Sequence, residues 1–334
     1  MSVGVSVTIV TWNSARFIRR CLETVEHQEL RDLEVIVVDN NSEDETPALL
    51  RGSRVPSQVY FNAVNRGFAA AQNQAIAKSS GDVILVLNPD TLLTPSFVRE
   101  ALPGFDAAPQ AGMVAPKLLR TTDEFEIPTP DTARIDSAGI FMTSSLRHFD
   151  RGATERARGR YDRMERVFGP TGAAAFYSRA LVEDAKVGGE FFDERFFAYR
   201  EDADVAWRAR LLGWECVYVP HSIGYHMRRQ RPELGRTVSA EINRHSVKNR
   251  FLMRIKNITP SVYARALGPT TLRDLMVVGG TVVLERQSLP GLWFVVRNLA
   301  PVLQARREIQ KRRRPTAVPL WRWLGRHSMA LGNS

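Results

Sequence analysis

A doubly wound α/β fold with a mostly parallel sheet, followed by a helical basic C-terminal extension, is what this 334-residue sequence predicts. Two observations carry the prediction. Short apolar runs of strand length alternate with stretches of helical periodicity from Val3 to Leu87, and that alternation means parallel strands joined by crossover helices. Each run also ends in polar residues, and in such sheets ligands gather beyond the carboxyl ends of the strands.

The elements follow in order. Val3 to Val10 alternates with period two, as a strand does. Ser14 is placed to cap a helix whose Phe17, Ile18, Cys21, Leu22 and Val25 share one face. Val35 to Val38 is fully apolar, as a strand buried on both faces requires. Ser42 and Glu45 have capping-box spacing for a second helix. Val59 to Phe61 supplies a third strand, the alanine-rich stretch Gly67 to Lys78 a third helix, and Val83 to Leu87 a fourth strand entered from Ser80-Gly81. Residues 120–165 are polar with little periodicity and read as loops or a mobile excursion. Beyond Arg244 the chain reads as helical and basic, ending in a tail (Lys311 to Arg314, then Trp321-Arg322-Trp323) expected to be poorly ordered.

Composition narrows the class. With 44% apolar and 25% charged residues the chain is globular rather than disordered. Its charge is divided: residues 1–225 hold 25 Lys and Arg against 31 Asp and Glu, while residues 226–334 hold 21 against 5. A basic end of this kind is either a solvated face or the footprint of a polyanionic partner: nucleic acid, anionic lipid or a phosphorylated acceptor. Cys21 and Cys216 lack metal-ligand spacing, which fits a reducing compartment. Val3 to Val10 is too short and lacks the basic start of a secretory signal. No apolar run reaches the roughly 20 residues needed to span a bilayer, so Leu275 to Leu284 and Leu289 to Val296 read as core or interfacial helices. Neither G-x-G-x-x-G after the first strand nor a P-loop is present, which disfavours dinucleotide-binding and P-loop chemistry.

Four strand ends carry polar clusters: Thr11-Trp12-Asn13, Asp39-Asn40-Asn41, Asn65-Arg66-Gly67 and Asn88-Pro89-Asp90. One such cluster is ordinary turn chemistry; four converging ones make a site. Asp90, just past a buried strand, is a hard oxygen ligand suited to Mg²⁺ or Mn²⁺, or else the cap of a helix near Thr94-Pro95. A second acidic group, Glu201-Asp202-Ala203-Asp204, follows the aromatic run Phe191 to Tyr199. Crowded carboxylates raise one another's pKa, which suits a general base near neutrality; the plain alternative is an acidic first helical turn. Asp204 and Arg208, spaced i,i+4, suit a pair on one helix face.

The segments Val7 to Asn13, Val37 to Ser42, Asn65 to Phe68, Leu87 to Asp90 and Phe192 to Arg208 resemble, in order and spacing, the family-2 inverting glycosyltransferases of the Rossmann-like GT-A fold. The likeness covers about residues 3–230 and is greatest to the bacterial branch that is rhamnosyltransferase-like and galactofuranosyltransferase-like. It implies a glycosyltransferase domain over residues 1–230, with a nucleotide-binding half (1–115) and an acceptor half (116–230), and an extension over 231–334. It also implies roles. Asp90 would hold Mg²⁺ or Mn²⁺, with Asn88 standing where the family usually has the first Asp of Asp-x-Asp. His226 would be a further metal ligand, with His221 its rival. Asp39 would read a pyrimidine base, and Thr11, Asn13, Asn65, Arg66 and Gly67 would line the donor cleft. Asp202 would be the base and Glu201 its orienting neighbour. Gly169 to Phe176 would separate the sugar and acceptor sites.

The implied reaction is transfer of a sugar, rhamnose first, from a dTDP- or UDP-linked donor to a hydroxyl of a cell-surface glycan or polyprenyl-diphosphate-linked acceptor. Its implied setting is cell-wall biogenesis at the cytoplasmic membrane face. The basic tail with Trp321 and Trp323 would then bind anionic headgroups peripherally, without a span. Two alternatives carry less of the sequence. A sugar-phosphate nucleotidyltransferase would want a glycine-rich basic loop where Thr11 to Arg16 lacks glycine. A non-enzymatic polyanion binder finds no nucleic-acid motif to support it.

Overall fold

The computed structural model describes residues 4–122, 124–228, 239–315 and 318–331. Its N-terminal half is the predicted β-α-β-α-β-α-β series: β1 (Val5–Thr11), α1 (Ile18–Glu26), β2 (Glu34–Asp39), α2 (Thr46–Gly52), β3 (Gln58–Phe61), α3 (Phe68–Lys78) and β4 (Val83–Leu87). β1 pairs in parallel with β2 and β4, and β2 with β3. β1 and β4 are buried throughout: β4 is apolar at every position, whereas β1 keeps its alternation and buries Ser6, Thr8 and Thr11 as well.

The chain then crosses the sheet through β5 (Thr91–Leu93), α4 (Phe97–Ala101) and β6 (Ala111–Arg120). β7 (Ile135–Ser137) pairs with β6, and β8 (Ile140–Met142) and β9 (His148–Asp150) form a hairpin. β10 (Glu165–Val167), β11 (Ala174–Ser178), α5 (Arg179–Ala185), α6 (Glu201–Leu211) and β12 (Glu215–His226) complete the body. Four helices follow: α7 (Ala240–Asn257), α8 (Pro260–Val283), α9 (Leu289–Arg297) and α10 (Leu299–Lys311). A last strand, β13 (Met329–Ala330), closes the order β3-β2-β1-β4-β11-β6-β12-β10-β13. β11 runs antiparallel between β4 and β6 and matches Ala174 to Leu87, so the residues entering β11 lie against the end of β4.

Several expectations need correction. Neither Ser14 nor Ser42 caps a helix: α1 and α2 begin at Ile18 and Thr46 without a side-chain cap. The two hydroxyls serve the strand-end loops instead, Ser14 accepting from the Trp12 amide and Ser42 donating to Asp39. Residues 120–165 are not a free excursion. Ile135, Ile140, Met142 and Leu146 are buried in the main core. Their strands are three residues long, too short to show a period, and their partners are remote in sequence.

The basic tail is docked rather than loose. Arg312 donates to the Lys186 carbonyl at 2.7 Å, Arg314 pairs with Asp184 at 2.9 Å, and Trp323 is fully buried. Leu275 to Leu284 is not core: Leu275, Val283 and Leu284 are all exposed. No helix among the described residues is long and apolar enough to cross a membrane. The extension nonetheless shares the sheet's core, through Leu252, Val262, Val302, Ile309 and Trp323.

Candidate active site

The carboxyl ends of β4, β1 and β2 stand side by side in the sheet, with the loop after β3 next to them. Thr11 donates to Asp39 Oδ1 at 2.8 Å, and Ser42 donates to the same carboxylate from hydroxyl and amide. This is the Asx turn that β2 needs to leave the sheet. Asp39 is 2% exposed, so reading a base with it would require one of these donors to yield. Asn13, at φ +48°, accepts from the Glu43 amide and donates its own amide to Ser42.

The third strand end is organised by a residue the sequence reading passed over as a contact. Asn40 donates to the Asn65 side chain at 2.8 Å and the Gly67 carbonyl at 3.0 Å, and accepts from the Arg66 amide at 3.0 Å. Gly67 is obligatory: its φ is +82°, and a Cβ would meet the Phe197 ring at 2.5 Å. Arg66 reaches toward Glu194 at 3.7 Å and is half exposed.

Asp90 does not cap the next helix, which starts at Phe97 behind Ser96. Its carboxylate faces His226 Nε2 across 3.4 Å, because His226, the last residue of β12, pairs with Thr91 of β5. His226 Nδ1 lies 2.7 Å from Asp136, and Arg228 holds the same carboxylate at 3.0 Å and also pairs with Asp150. Burial opposes charging the imidazole, but Asp90 and Asp136 together lift its pKa to about 10. Burial likewise opposes the Asp136 charge, yet His226 and Arg228 hold its carboxyl below the usual range. His221, the rival ligand, is exposed at the irregularity in β12.

The Asp90–His226 pair fits a divalent cation. A cation between Asp90 and Nε2 would displace the Nε2 proton, and the Nδ1–Asp136 contact would keep the other ring nitrogen as the donor, the arrangement of a metal-binding histidine with its supporting carboxylate. No group of three or more such side chains stands together among the described residues, so phosphate oxygens and water would supply the remaining positions. A hollow of about 500 Å³, lined in part by Arg120, Thr121, Arg134 and Arg228, opens beside this network.

Asp202 stands one peptide away from that corner. Its Oδ2 accepts from the Gly172 amide at 2.9 Å, while the next carbonyl, Ala173, accepts from the Asn88 amide at 2.9 Å. A Cβ on Gly172 would sit 3.5 Å from the Asp202 carboxylate, an ordinary contact, so the approach of this segment to the acid does not itself require a glycine at 172. Asp202 and Glu201 open α6 after Arg200, which holds φ +72°. Burial raises Asp202, against the lowering effect of the Gly172 and Ala203 amides. Burial, then the Asp202 charge, push Glu201 up to about 8, so near neutrality Glu201 keeps its proton.

Asp204 points elsewhere. It is 1% exposed and bonded to Lys256 at 2.8 Å and Asn257 at 2.7 Å, with Arg208 at 3.6 Å. Phe191, Phe192 and Phe196 are core residues rather than a sugar platform. Besides Asn40, the sequence reading missed Asp136, Asp150 and Arg228. Their stretch shows no periodicity, and only the fold brings them to His226.

Comparison with known proteins agrees with this geometry. Residues 6–185 match the family described as glycosyl transferase family 2. An N-acetylglucosaminyl-diphospho-decaprenol L-rhamnosyltransferase of Mycobacterium tuberculosis is 28% identical over 236 residues, 66% of this chain and 75% of that protein. The succinoglycan biosynthesis protein ExoO of Rhizobium meliloti is 37% identical over 106 residues, 31% of this chain and 30% of that protein. Among solved structures, GalNAc-T7 with UDP, GalNAc and Mn²⁺ superposes with a TM-score of 0.63 at 14% identity, covering 90% of this chain and 57% of that one. The S. aureus TarS 1-349 complex with UDP-GlcNAc gives 0.55 at 17% identity, covering 90% and 81%. These structures share the fold.

Proposed function

This chain belongs to glycosyl transferase family 2 and is a glycosyltransferase, and on that premise we propose that it inverts the donor sugar by a single displacement with Asp202 as base. The observation that carries the reading is the Gly172-Ala173 peptide, which ties Asp202 on one side and the Asn88-Pro89-Asp90 corner on the other. Inversion needs a base and a leaving-group site facing each other across one sugar, and this peptide is the wall between them. Asp202 in its anionic form, beside a protonated Glu201, takes the acceptor proton as the hydroxyl attacks C1, and its raised pKa makes it the stronger base. Asp90 and His226 would hold Mg²⁺ or Mn²⁺ against the donor diphosphate. Such a cation neutralises charge developing on the departing phosphate. Thr11, Asn13, Asp39, Asn65, Arg66, Gly67 and Asn88 line the donor half, with the pyrimidine of a dTDP- or UDP-sugar toward Asp39.

Rhamnose as the sugar and a polyprenyl-diphosphate-linked glycan as the acceptor take their support from the mycobacterial relative's name. The division into residues 1–115, 116–230 and 231–334 is kept as a functional proposal. Membrane association moves from the tail to α8 and α9. Tail residues Arg312, Arg314 and Trp323 are engaged in the fold, whereas Leu272 (61% exposed), Leu275 (67%), Val283 (69%) and Trp293 (62%) face outward. An outward apolar face of this extent next to basic residues suits a bilayer interface.

Release of nucleotide diphosphate from a panel of dTDP-, UDP- and GDP-sugars, with and without Mn²⁺ or Mg²⁺, tests the reading without knowledge of the acceptor. Cation-dependent release from a pyrimidine-linked sugar is expected. Release from none of them, with either cation, would overturn it.

A further inference from the structure

Five arginines from four separate segments converge on the side of Asp202 formed by the β8–β9 turn and the C-terminal helices. Arg147 lies in that turn, Arg200 precedes α6, Arg250 and Arg254 lie on α7, and Arg273 lies on α8. Each of the other four depresses the Arg250 guanidinium electrostatically, which after burial brings it to about 9. Burial, then Arg147 among its neighbours, brings Arg200 to about 10. Burial and the Arg200 charge leave His148 neutral, well below its ordinary range.

The group is short of anions. Arg200 spends its donors on the Ser246 carbonyl and hydroxyl and approaches His148 Nδ1 at 3.3 Å, all uncharged, while Asp202 acts on it electrostatically without a salt bridge. Arg254 pairs with Asp274 at 2.6 Å, and among the described residues no carboxylate pairs with Arg147, Arg250 or Arg273. The Nε atoms of Arg250, Arg254 and Arg273 are buried without a hydrogen-bond partner, although Arg250 and Arg254 are each only 7% exposed. Packing like charges together with orphaned donors is costly unless an anion completes the set, and guanidinium forks match phosphate oxygens.

We propose that Arg147, Arg200, Arg250, Arg254 and Arg273 form an anion subsite that binds the diphosphate of a prenol-linked acceptor, one sugar ring from Asp202. The inference rests on the reading of Asp202 as the acceptor's base. Two placements favour the acceptor's diphosphate over the donor's. The donor phosphates belong at the Asp90–His226 corner, at the ends of β4 and β12, whereas the arginines lie on the β8–β9 turn, the entry to α6, α7 and α8. Arg273 is also flanked on α8 by exposed Leu272, Leu275 and Met276, an apolar path along which a prenyl chain leaves the diphosphate. A sugar attached directly to that diphosphate then presents its hydroxyl to Asp202.

Binding of farnesyl diphosphate, farnesyl monophosphate and farnesol to the full-length protein, measured by calorimetry with UDP as a separate titrant, tests this subsite. The diphosphate should bind at least tenfold tighter than the monophosphate, and farnesol more weakly still. Arg250→Gln and Arg273→Gln should each weaken the diphosphate at least tenfold and leave UDP within twofold, with Arg273→Lys recovering part of the loss. Arg273 lies on a half-exposed helix face, so its variants remain informative even if Arg250→Gln fails to fold. Equal binding of diphosphate and alcohol, diphosphate binding unmoved by both Gln variants, or a parallel fall in UDP affinity would each overturn the assignment. A loss confined to phosphatidylglycerol vesicles would overturn it too, by making the cluster a headgroup contact. Nucleotide release by the wild-type protein is a separate readout: its absence sinks the glycosyltransferase mechanism without touching the farnesyl diphosphate result.

Discussion

The helices of the N-terminal half bury apolar side chains, whereas α7 of the C-terminal extension buries charged and amide side chains beside its apolar ones. α1 hides Ile18, Cys21, Leu22 and Val25 and turns its charges outward. α7 hides Lys248, Asn249, Arg250, Arg254, Lys256 and Asn257, while α8 and α9 expose Leu275, Val283 and Trp293. The first arrangement is what the hydrophobic effect alone produces. The second arises where a helix is used as polar scaffolding. Asn249 donates to the carbonyls of Phe196, Ala198 and Tyr199, and Lys256 and Asn257 clamp Asp204. α7 thereby fixes the left-handed Tyr199-Arg200 entry into α6 that presents Asp202. The difference teaches that the extension helps build the backbone that presents Asp202 rather than hanging from the body as an appendage.

The sharpest test of that contrast is at the two sites themselves. Asp202→Asn should lower transfer by about 10³-fold or more, within the range for loss of a general base, with donor binding by calorimetry unchanged. Undiminished transfer would move the base elsewhere. Next, Lys256→Met removes the buried lysine that Asp193 and Asp204 share, leaving them only Arg195 and Arg208. It should cost about 3–5 kcal/mol in urea unfolding. A much smaller loss would make α7 a passive cover.

Asp136→Asn withdraws the partner of His226 Nδ1 and should weaken Mn²⁺ binding about 10–100-fold. Manganese titration in the presence of UDP reads this, and an unchanged affinity would remove His226 from the metal site. Glu201→Gln acts on pH dependence. Unfolded, Glu201 titrates near 4.5; folded, near 8. Between those values the folded state holds a proton the unfolded state has lost. Its contribution to stability is therefore complete below about 4.5 and lost as pH rises through 8. The variant should flatten that fall by at most about 1.4 kcal/mol per pH unit, read from unfolding free energies at pH 6, 7 and 8. The smallest effect on stability belongs to the outward apolar face. Leu275→Glu with Val283→Glu should stay within about 0.5 kcal/mol per site while sharply reducing sedimentation with anionic liposomes. Retained sedimentation would place the membrane contact on another surface.

Legibility followed the same division. Asp90, Asp202 and Gly67 could be named from sequence because each sits at the end of a strand or the start of a helix whose pattern is local. Asp136 could not, because β7 is three residues long and its meaning depends on β12, far along the chain. The aromatic tail misled for a related reason: Trp323 resembles an interfacial anchor until the cavity that accepts it exists. Arg312 likewise resembles a free charge until the carbonyl of Lys186 is placed beside it.

By itself the sequence determined the parallel half of the sheet, the polar strand ends and the acidic opening of α6. Periodicity and strand-end chemistry act over a few residues and leave their mark in order. Only the tertiary structure decided that His226 meets Asp90, that Asp204 pairs with Lys256 and Asn257 while Asp202 accepts from the Gly172 amide, and that five arginines share one place. Charge–charge and hydrogen-bond energies depend on distance in space, and a linear sequence carries no record of it.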